Sequence, residues 1–164
     1  MRARSAAMPF RPAGTGRARS GFAAGFVIAG LVALVFWPGL DGFWGRDDFT
    51  QLAMMRLLDR PWILFVVDHY PVPGAIFRPL SFASLWASTA LFGTDYRAQA
   101  LCDAGLHAAV ACALYRLIRA GEPSPWRALL WTLLFALHPL AIGTAQWWSA
   151  RFDLLAALFG LVAW

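Results

Sequence analysis

Two adjacent carboxylates, Asp47 and Asp48, follow the first long apolar run of the chain, and Arg46 precedes them. They stand out in a sequence that is 60% hydrophobic and only 14% charged. A carboxylate can serve as general base on an acceptor hydroxyl, and oxygen ligands of this kind can also hold a divalent cation. A paired acid is a weak motif, and charges also collect at helix ends that face water. The pair therefore predicts a catalytic acidic centre and leaves a solvated loop as the alternative.

Four further ionisable residues occur in later segments of the chain: Arg78, His138, Arg151 and Asp153. Arginine binds phosphate through paired N–H donors, so an arginine beside carboxylates predicts a site for a phosphorylated ligand. His138 precedes a proline, and an ordinary position at a helix end stays open for it. We expect these four residues to bind a phosphate-bearing substrate if the topology brings them to one side of a membrane.

Asp103 and His107 lie four residues apart inside an apolar run, so they share one face of a helix. Ionisable residues in a membrane helix are costly and usually face the interior of a bundle or an aqueous cavity. Two interpretations stay open: a polar pair that locks two helices together, or a relay for protons or ions. The sequence contains no HExxH motif, glycine-rich phosphate loop or serine elbow, which leaves soluble-type hydrolase and nucleotide chemistry without support.

Long apolar runs of about 20 residues indicate membrane-spanning helices, and several runs approach this length. We therefore predict an all-α, polytopic transmembrane helix bundle. The net charge of +5 comes from 14 basic residues, all of them arginine. Nucleic acid is not expected as a partner, because the arginines lie at the ends of predicted helices and form no single basic face. Cys102 and Cys112 are about 15 Å apart on a helix, too far for a disulfide.

Residues 1–20 form a predicted disordered tail with five arginines and no acid, which the positive-inside rule assigns to the cytoplasm. Residues 21–38 are predicted to be an uncleaved first span. A signal peptide is less consistent, because the run is long and ends at Phe36, Trp37 and Pro38 without a small-residue cleavage site.

Residues 39–97 are predicted to be an outer loop with interfacial helices, including a short helix near residues 49–56 that stops before Pro61. The 14-residue apolar run 79–92 is too short to cross comfortably. If it stays on the outer side, Arg116, Arg119 and Arg127 all face the cytoplasm, which the positive-inside rule favours.

The second and third crossings are predicted at residues 98–118 and 126–145, with a kink at Pro139. Another helix starts near Leu154, and its eleven residues to Trp164 are too few to cross, which indicates a truncated chain. With this topology, the acids near residue 47 and the segment around Arg151 lie on the same outer side. A single site formed by separate segments is therefore the central prediction.

From about residue 22 to the end, the order of several short motifs resembles the N-terminal part of the GT-C superfamily of membrane glycosyltransferases. The nearest resemblance is to bacterial protein O-mannosyltransferase-like proteins of the type associated with tetratricopeptide repeats. The matching residues are Arg46 to Phe49 with Gln51 and Leu52, Phe77 to Ser81, Phe92 with Gly93 and Tyr96, His107, Phe135 to Leu140, Trp147, Ser149 to Arg151, and Asp153 to Phe159. Asp103 departs from the pattern, which has an amide such as asparagine there.

The resemblance implies transfer of a sugar from a polyprenyl-phosphate-linked donor to a protein or glycan acceptor, on the periplasmic side of a bacterial inner membrane. It implies that Asp47 activates the acceptor, with Asp48 as a second acid, and that Asp153 matches an acidic position of the second outer loop. Arg78 or Arg151 is expected to bind the donor phosphate, and a divalent cation is a possible cofactor. A transporter or channel fragment and a catalytically silent scaffold are the alternatives.

Overall fold

The computed structural model describes residues 15–66 and 77–164, and within these ranges the chain is helical without any β-strand. Seven α-helices follow one another in the described residues: α1 (Thr15–Phe36), α2 (Arg46–Leu57), α3 (Pro79–Phe92), α4 (Tyr96–Gly121), α5 (Pro125–Ala136), α6 (Pro139–Ala145) and α7 (Arg151–Ala163). Short 3-10 turns occur at Trp37–Asp41, Pro61–Phe65 and Trp148–Ala150.

Two segments, Gly21–Asp41 and Tyr96–Gly121, are long and apolar enough to cross a membrane. Helices α5 and α6 pass the same test only together, as a pair bent by 52° at the break before Pro139. Proline explains this break, because it cannot donate a backbone hydrogen bond and clashes with the preceding turn. The described part of the chain confirms the predicted all-helical class and contains two candidate spans, or three if the bent pair is one.

Several predicted boundaries differ from those of the structure. Helix α1 begins at Thr15, so residues 15–20, which we predicted as disordered tail, are helical; arginine and alanine in this stretch are good helix formers. Helix α7 begins at Arg151 and not near Leu154, because the 3-10 turn before it leads directly into the helix. Residues 1–14 of the predicted tail, and residues 67–76 of the predicted outer loop, lie outside the described residues.

Helix α4 packs antiparallel to α1. A Cβ atom on Gly25 would lie 4.0 Å from the Sγ of Cys112, whereas near the other end the centroid of the Phe36 ring lies 5.3 Å from that of His107. Beyond them, Arg97 forms an exposed ion pair with Asp41. We call this the N-terminal end of α4. The opposite end of α4 leads through a short turn into α5, where Pro125 is the first helical residue and the Ser124 hydroxyl accepts the N–H of Arg127.

Two groups of buried apolar side chains hold these helices together. The first lies between α1, α4, α5 and the end of α6 and contains small residues that allow close backbone approach; it consists of Ala24, Ile28, Val32, Phe36, Ala104, Ala111, Tyr115, Ala128, Ala136 and Ala145. The second joins α2, α3 and the 3-10 turns Pro61–Phe65 and Trp148–Ala150; it consists of Leu52, Met55, Leu64, Phe82, Leu85 and Trp148. The second group brings the start of α2 against the start of α7.

Candidate functional site at the N-terminal end of α4

The carboxylate of Asp48 connects two segments that are 101 residues apart in sequence. One oxygen accepts the backbone N–H of Gly45 at 2.7 Å, which satisfies a free N–H at the start of α2. The other accepts both the backbone N–H (2.9 Å) and the hydroxyl (2.5 Å) of Ser149. Only 2% of the Asp48 surface is exposed. Three donors thus compensate a buried carboxylate and fix the start of α2 against the turn before α7.

Arg151 is the centre of a second buried set of contacts, and 4% of its surface is exposed. Its Nε donates to Asp103 at 2.5 Å, which joins α7 to α4 by a buried ion pair. Its Nη1 donates to the Ser88 hydroxyl at 2.7 Å and to the Ser84 carbonyl at 3.2 Å, both on α3. Burial of a charge is tolerated when it is paired and hydrogen-bonded, as it is here. Arg151 therefore ties three helices together.

Gln99 connects Arg151 to the neighbouring aromatic side chains of Trp148 and Trp44. Its Oε1 accepts the indole N–H of Trp148 at 3.0 Å and an N–H of Arg151 at 3.4 Å. Its Nε2 donates to the Gly93 carbonyl at 3.3 Å. The Trp148 ring in turn meets Trp44 edge-on, with centroids 5.6 Å apart. Gln99 lies four residues before Asp103 on α4, so a polar residue on the same helix face was the sequence signal that could have identified it.

Asp47 is exposed and makes no hydrogen bond or ion pair with the described residues. It lies in the first turn of α2, where the free backbone N–H groups and the helix dipole stabilise a negative charge. The adjacent acid, by contrast, is buried and fully hydrogen-bonded. One carboxylate of the pair is thus free to meet a ligand, and the other holds the helix.

Arg78 precedes α3, and its guanidinium stacks on the ring of Phe152, with 3.7 Å between Cζ and the ring centroid. The side chain is exposed, and its N–H groups have no hydrogen-bond acceptor among the described residues. Stacking on an aromatic face leaves the edge of the guanidinium available for a planar anion. Of the two arginines predicted to bind phosphate, Arg78 is therefore the one with available donors.

His107, His138 and Asp153 line a separate cleft of about 490 Å³ between α4, α5, α6 and α7. His107 is buried and its Nε2 bonds to the Ala136 carbonyl at 2.9 Å, so it bridges α4 to α5 and not to Asp103. The two members of the predicted intramembrane polar pair thus each bond to a different helix. His107 joins α4 to α5 and Asp103 joins α4 to α7, but these two side chains are not bonded to each other.

The predicted site residues therefore lie in three separate places. Each place includes one of three successive residues at the start of α7. Arg151 pairs with Asp103 in the interior, the ring of Phe152 packs against the guanidinium of Arg78, and Asp153 lines the cleft. Sequence reasoning brought Asp48 and Arg151 to the same end of the molecule, but it missed the bonding roles of Ser149 and Gln99. Within the described residues, no three His, Cys, Asp or Glu side chains group as possible metal ligands.

No protein-family model matches the chain, and no curated protein or solved structure shows significant similarity to it.

Proposed function

We propose that the protein is a membrane glycosyltransferase that transfers a sugar from a polyprenyl-phosphate-linked donor to a hydroxyl of a protein or glycan acceptor. The observation that carries this proposal is the contact between Asp48 and Ser149. It joins the acidic start of α2 to the segment that contains Arg151, next to the end of both candidate spans. Two loops that meet at a membrane surface and carry carboxylates and arginine suit the transfer of a group from a lipid-linked phosphate.

In this proposal, Asp47 is the general base that accepts the proton of the acceptor hydroxyl. Its exposure and its lack of a hydrogen-bond partner support this role. Asp48 is a positioning residue, because three donors already occupy its two oxygens. The lipid phosphate leaves with the electron pair of the bond to the sugar, and the acceptor oxygen forms the new bond.

Arg78 is the proposed ligand of the donor phosphate, since its guanidinium is exposed and supported by Phe152. Arg151 is less suited, because Asp103, Ser84, Ser88 and Gln99 accept from four of its five N–H groups. A phosphate role for His138 and Asp153 stays a prediction, although a free carboxylate in the same cleft would repel a phosphate.

The proposal assigns the N-terminal end of α4 to the periplasmic side of a bacterial inner membrane and the N-terminus to the cytoplasm. Arg116 and Arg119 lie near the other end of α4, and Arg127 lies at the start of α5. An excess of arginine on that side agrees with the positive-inside rule.

The test measures transfer of a radiolabelled sugar from a polyprenyl-phosphate donor to a hydroxyl-bearing acceptor, in membranes that contain the protein. We expect Asp47→Asn to lower the transfer rate about 10²–10⁴-fold, the usual contribution of a general base, while insertion is unchanged. We expect Arg78→Gln to raise the KM for the donor more than it lowers kcat.

The matched control is Asp59→Asn, the same change at another exposed acid after α2 that has no partner among the described residues. It should transfer sugar at the unaltered rate. Full activity of Asp47→Asn would exclude this residue as the base, and complete absence of transfer with every acceptor would favour a silent scaffold.

Ion transport through Asp103 is the second function class that the sequence suggested. It requires this carboxylate to exchange a proton or ion, whereas its oxygen is hydrogen-bonded to the guanidinium of Arg151. Ion flux that is unchanged by Asp103→Asn in proteoliposomes would count against transport.

A further inference from the structure

The cleft between α4, α5, α6 and α7 contains polar atoms that no described residue satisfies. His107 lines it, with 2% of its surface exposed. A carbonyl oxygen can only accept, so the bond to Ala136 requires the proton of His107 on Nε2. Its Nδ1 is then an acceptor without a partner among the described residues. Because His107 lines the cleft, this nitrogen can accept a hydrogen bond from a ligand there.

Asp153 and Thr144 add acceptors to the same cleft. Asp153 is exposed, forms no ion pair with the described residues, and is the one formally charged residue among those described as lining the cleft. The Nδ1 of His138 accepts the N–H of Leu140 at 3.2 Å, so this nitrogen is already used within the chain. The free carboxylate of Asp153 therefore favours a positively charged group at this end of the cleft.

The rest of the cleft wall is apolar, and it extends along the helices. Val110 on α4 lies seven residues beyond Asp103, about 10 Å further along the helix axis. Leu134 and Ala157 form the facing walls on α5 and α7. The carboxylate, by contrast, lies in the first turn of α7, near the N-terminal end of α4. One end of the cleft thus suits a polar head group, and the remainder suits a hydrocarbon chain.

We propose that this cleft binds a membrane lipid with a primary ammonium head group, with the ammonium directed at Asp153 and the chain along the apolar wall. The ammonium offers three N–H donors, and the cleft presents a carboxylate, a hydroxyl and an imidazole nitrogen that can accept them. The volume of about 490 Å³ lies within the usual range for a ligand pocket. Lipid binding here does not require the roles proposed for Asp47 and Arg78 in sugar transfer, so lipid binding and sugar transfer can be measured independently.

The experiment compares two lipids that differ only in the head group. The purified chain is titrated in detergent with dioleoyl phosphatidylethanolamine or dioleoyl phosphatidylcholine, and native mass spectrometry measures the bound lipid. Both head groups are cationic at nitrogen, but only the ethanolamine has N–H donors. We expect the ethanolamine lipid to bind about tenfold more tightly, the effect of one charged hydrogen bond.

Three variants identify the site. Asp153→Asn removes the charge at an exposed position and should reduce the preference between the two lipids to less than about threefold. Asp59→Asn is the control and should keep the full preference. Ala157→Phe fills the apolar part of the cleft and should weaken both lipids to the same extent. The elution volume and thermal unfolding of each variant show whether it has folded.

Equal binding of the two lipids by the unaltered chain would overturn the proposal. So would a preference that survives Asp153→Asn, or equal weakening of both lipids by that change. A preference that is lost in Asp153→Asn and kept in Asp59→Asn would establish the ammonium site, whatever the result of the sugar-transfer assay.

Discussion

At the residue scale, Asp47 and Asp48 have the same side chain and different surroundings. Consecutive residues of an α-helix point about 100° apart, because one turn takes 3.6 residues. One carboxylate therefore faces solvent while the other faces the turn before α7. The sequence identifies the pair but does not show which carboxylate is exposed and which is buried. That depends on which face of α2 packs against Trp148.

The contact between Asp48 and Ser149 is expected to stabilise the fold, whereas the exposed carboxylate of Asp47 is not. Asp48→Ala and Ser149→Ala should each lower the free energy of unfolding, and the two should couple by about 1.5–3 kcal/mol, the value for a hydrogen bond to a charged group. Unfolding in mixed micelles measures all four members of this cycle. Asp47→Ala is the control and should change stability little, and a coupling near zero would contradict the contact.

A side chain at Gly39 is expected to displace the end of the Gln146 side chain. A Cβ atom there would lie 1.7 Å from Nε2 of Gln146, whose amide donates to the Phe36 carbonyl. Because this amide can move aside, Gly39→Ala should cost about 0.5–1.5 kcal/mol, the value of the lost hydrogen bond, and should cost little more in a chain that already has Gln146→Ala. Gly30→Ala, which meets open space on α1, should not destabilise, and thermal unfolding compares the three.

At the scale of elements, α4 is the helix to which most others attach. It packs against α1 and α5 through small side chains, and against α7 through a buried ion pair. A buried ion pair is weak evidence for stability, because removal of two charges from water costs as much as their attraction returns. Its role here is to fix the position of α7 along α4, and Ser84 and Ser88 extend that role to α3.

Loss of one partner of this ion pair should cost more than loss of both. Arg151→Met should lower the free energy of unfolding by about 3–5 kcal/mol, because it leaves Asp103 buried without a counter-charge. Arg151→Met combined with Asp103→Leu should be more stable than either single variant. The exposed pair of Arg97 and Asp41 provides the comparison, and breaking it should have a small effect. Fluorescence-detected size exclusion after heating ranks these variants.

The sequence predicted elements better than contacts. The apolar run 79–92 corresponds to α3 at both ends, since Pro79 starts the helix and Gly93, with φ of +59°, ends it. Pro139 marked the break between α5 and α6 for an equally local reason. The partners of Asp103 and His107 could not be read in this way, because the spacing of four residues gives a shared face but not the helix that packs there.

At the scale of the whole molecule, the antiparallel arrangement of α1 and α4 puts the ion pair of Asp41 and Arg97 at one end and the arginines near residue 116 at the other. If these two helices cross a membrane, the two ends lie in different compartments. The site proposed for sugar transfer lies toward the end where α4 begins, and so does Asp153 in the first turn of α7.

Cysteine labelling of intact cells is expected to distinguish the two ends. With Cys102 and Cys112 replaced by alanine, Ala53→Cys on α2 should react with a membrane-impermeant maleimide. Ala120→Cys, near the end of α4, should react only after the membrane is permeabilised. Both positions are exposed, so burial does not explain a difference. The reverse pattern would invert the orientation, and reaction of both from outside would show that α4 does not cross.

The ion pair between α4 and α7 has a consequence for biosynthesis. Asp103 leaves the ribosome 48 residues before Arg151, so α4 would enter the bilayer with a carboxylate that has no counter-charge. An aspartate at the centre of an inserting helix costs about 2.5–3.5 kcal/mol, and Asp103, which is nearer to the start of α4, would cost less. If α4 crosses a membrane, it would depend on its neighbours α1 and α5 or on the translocation channel to remain inserted until the arginine arrives. The order in which helices are synthesised is therefore a constraint on how this bundle assembles.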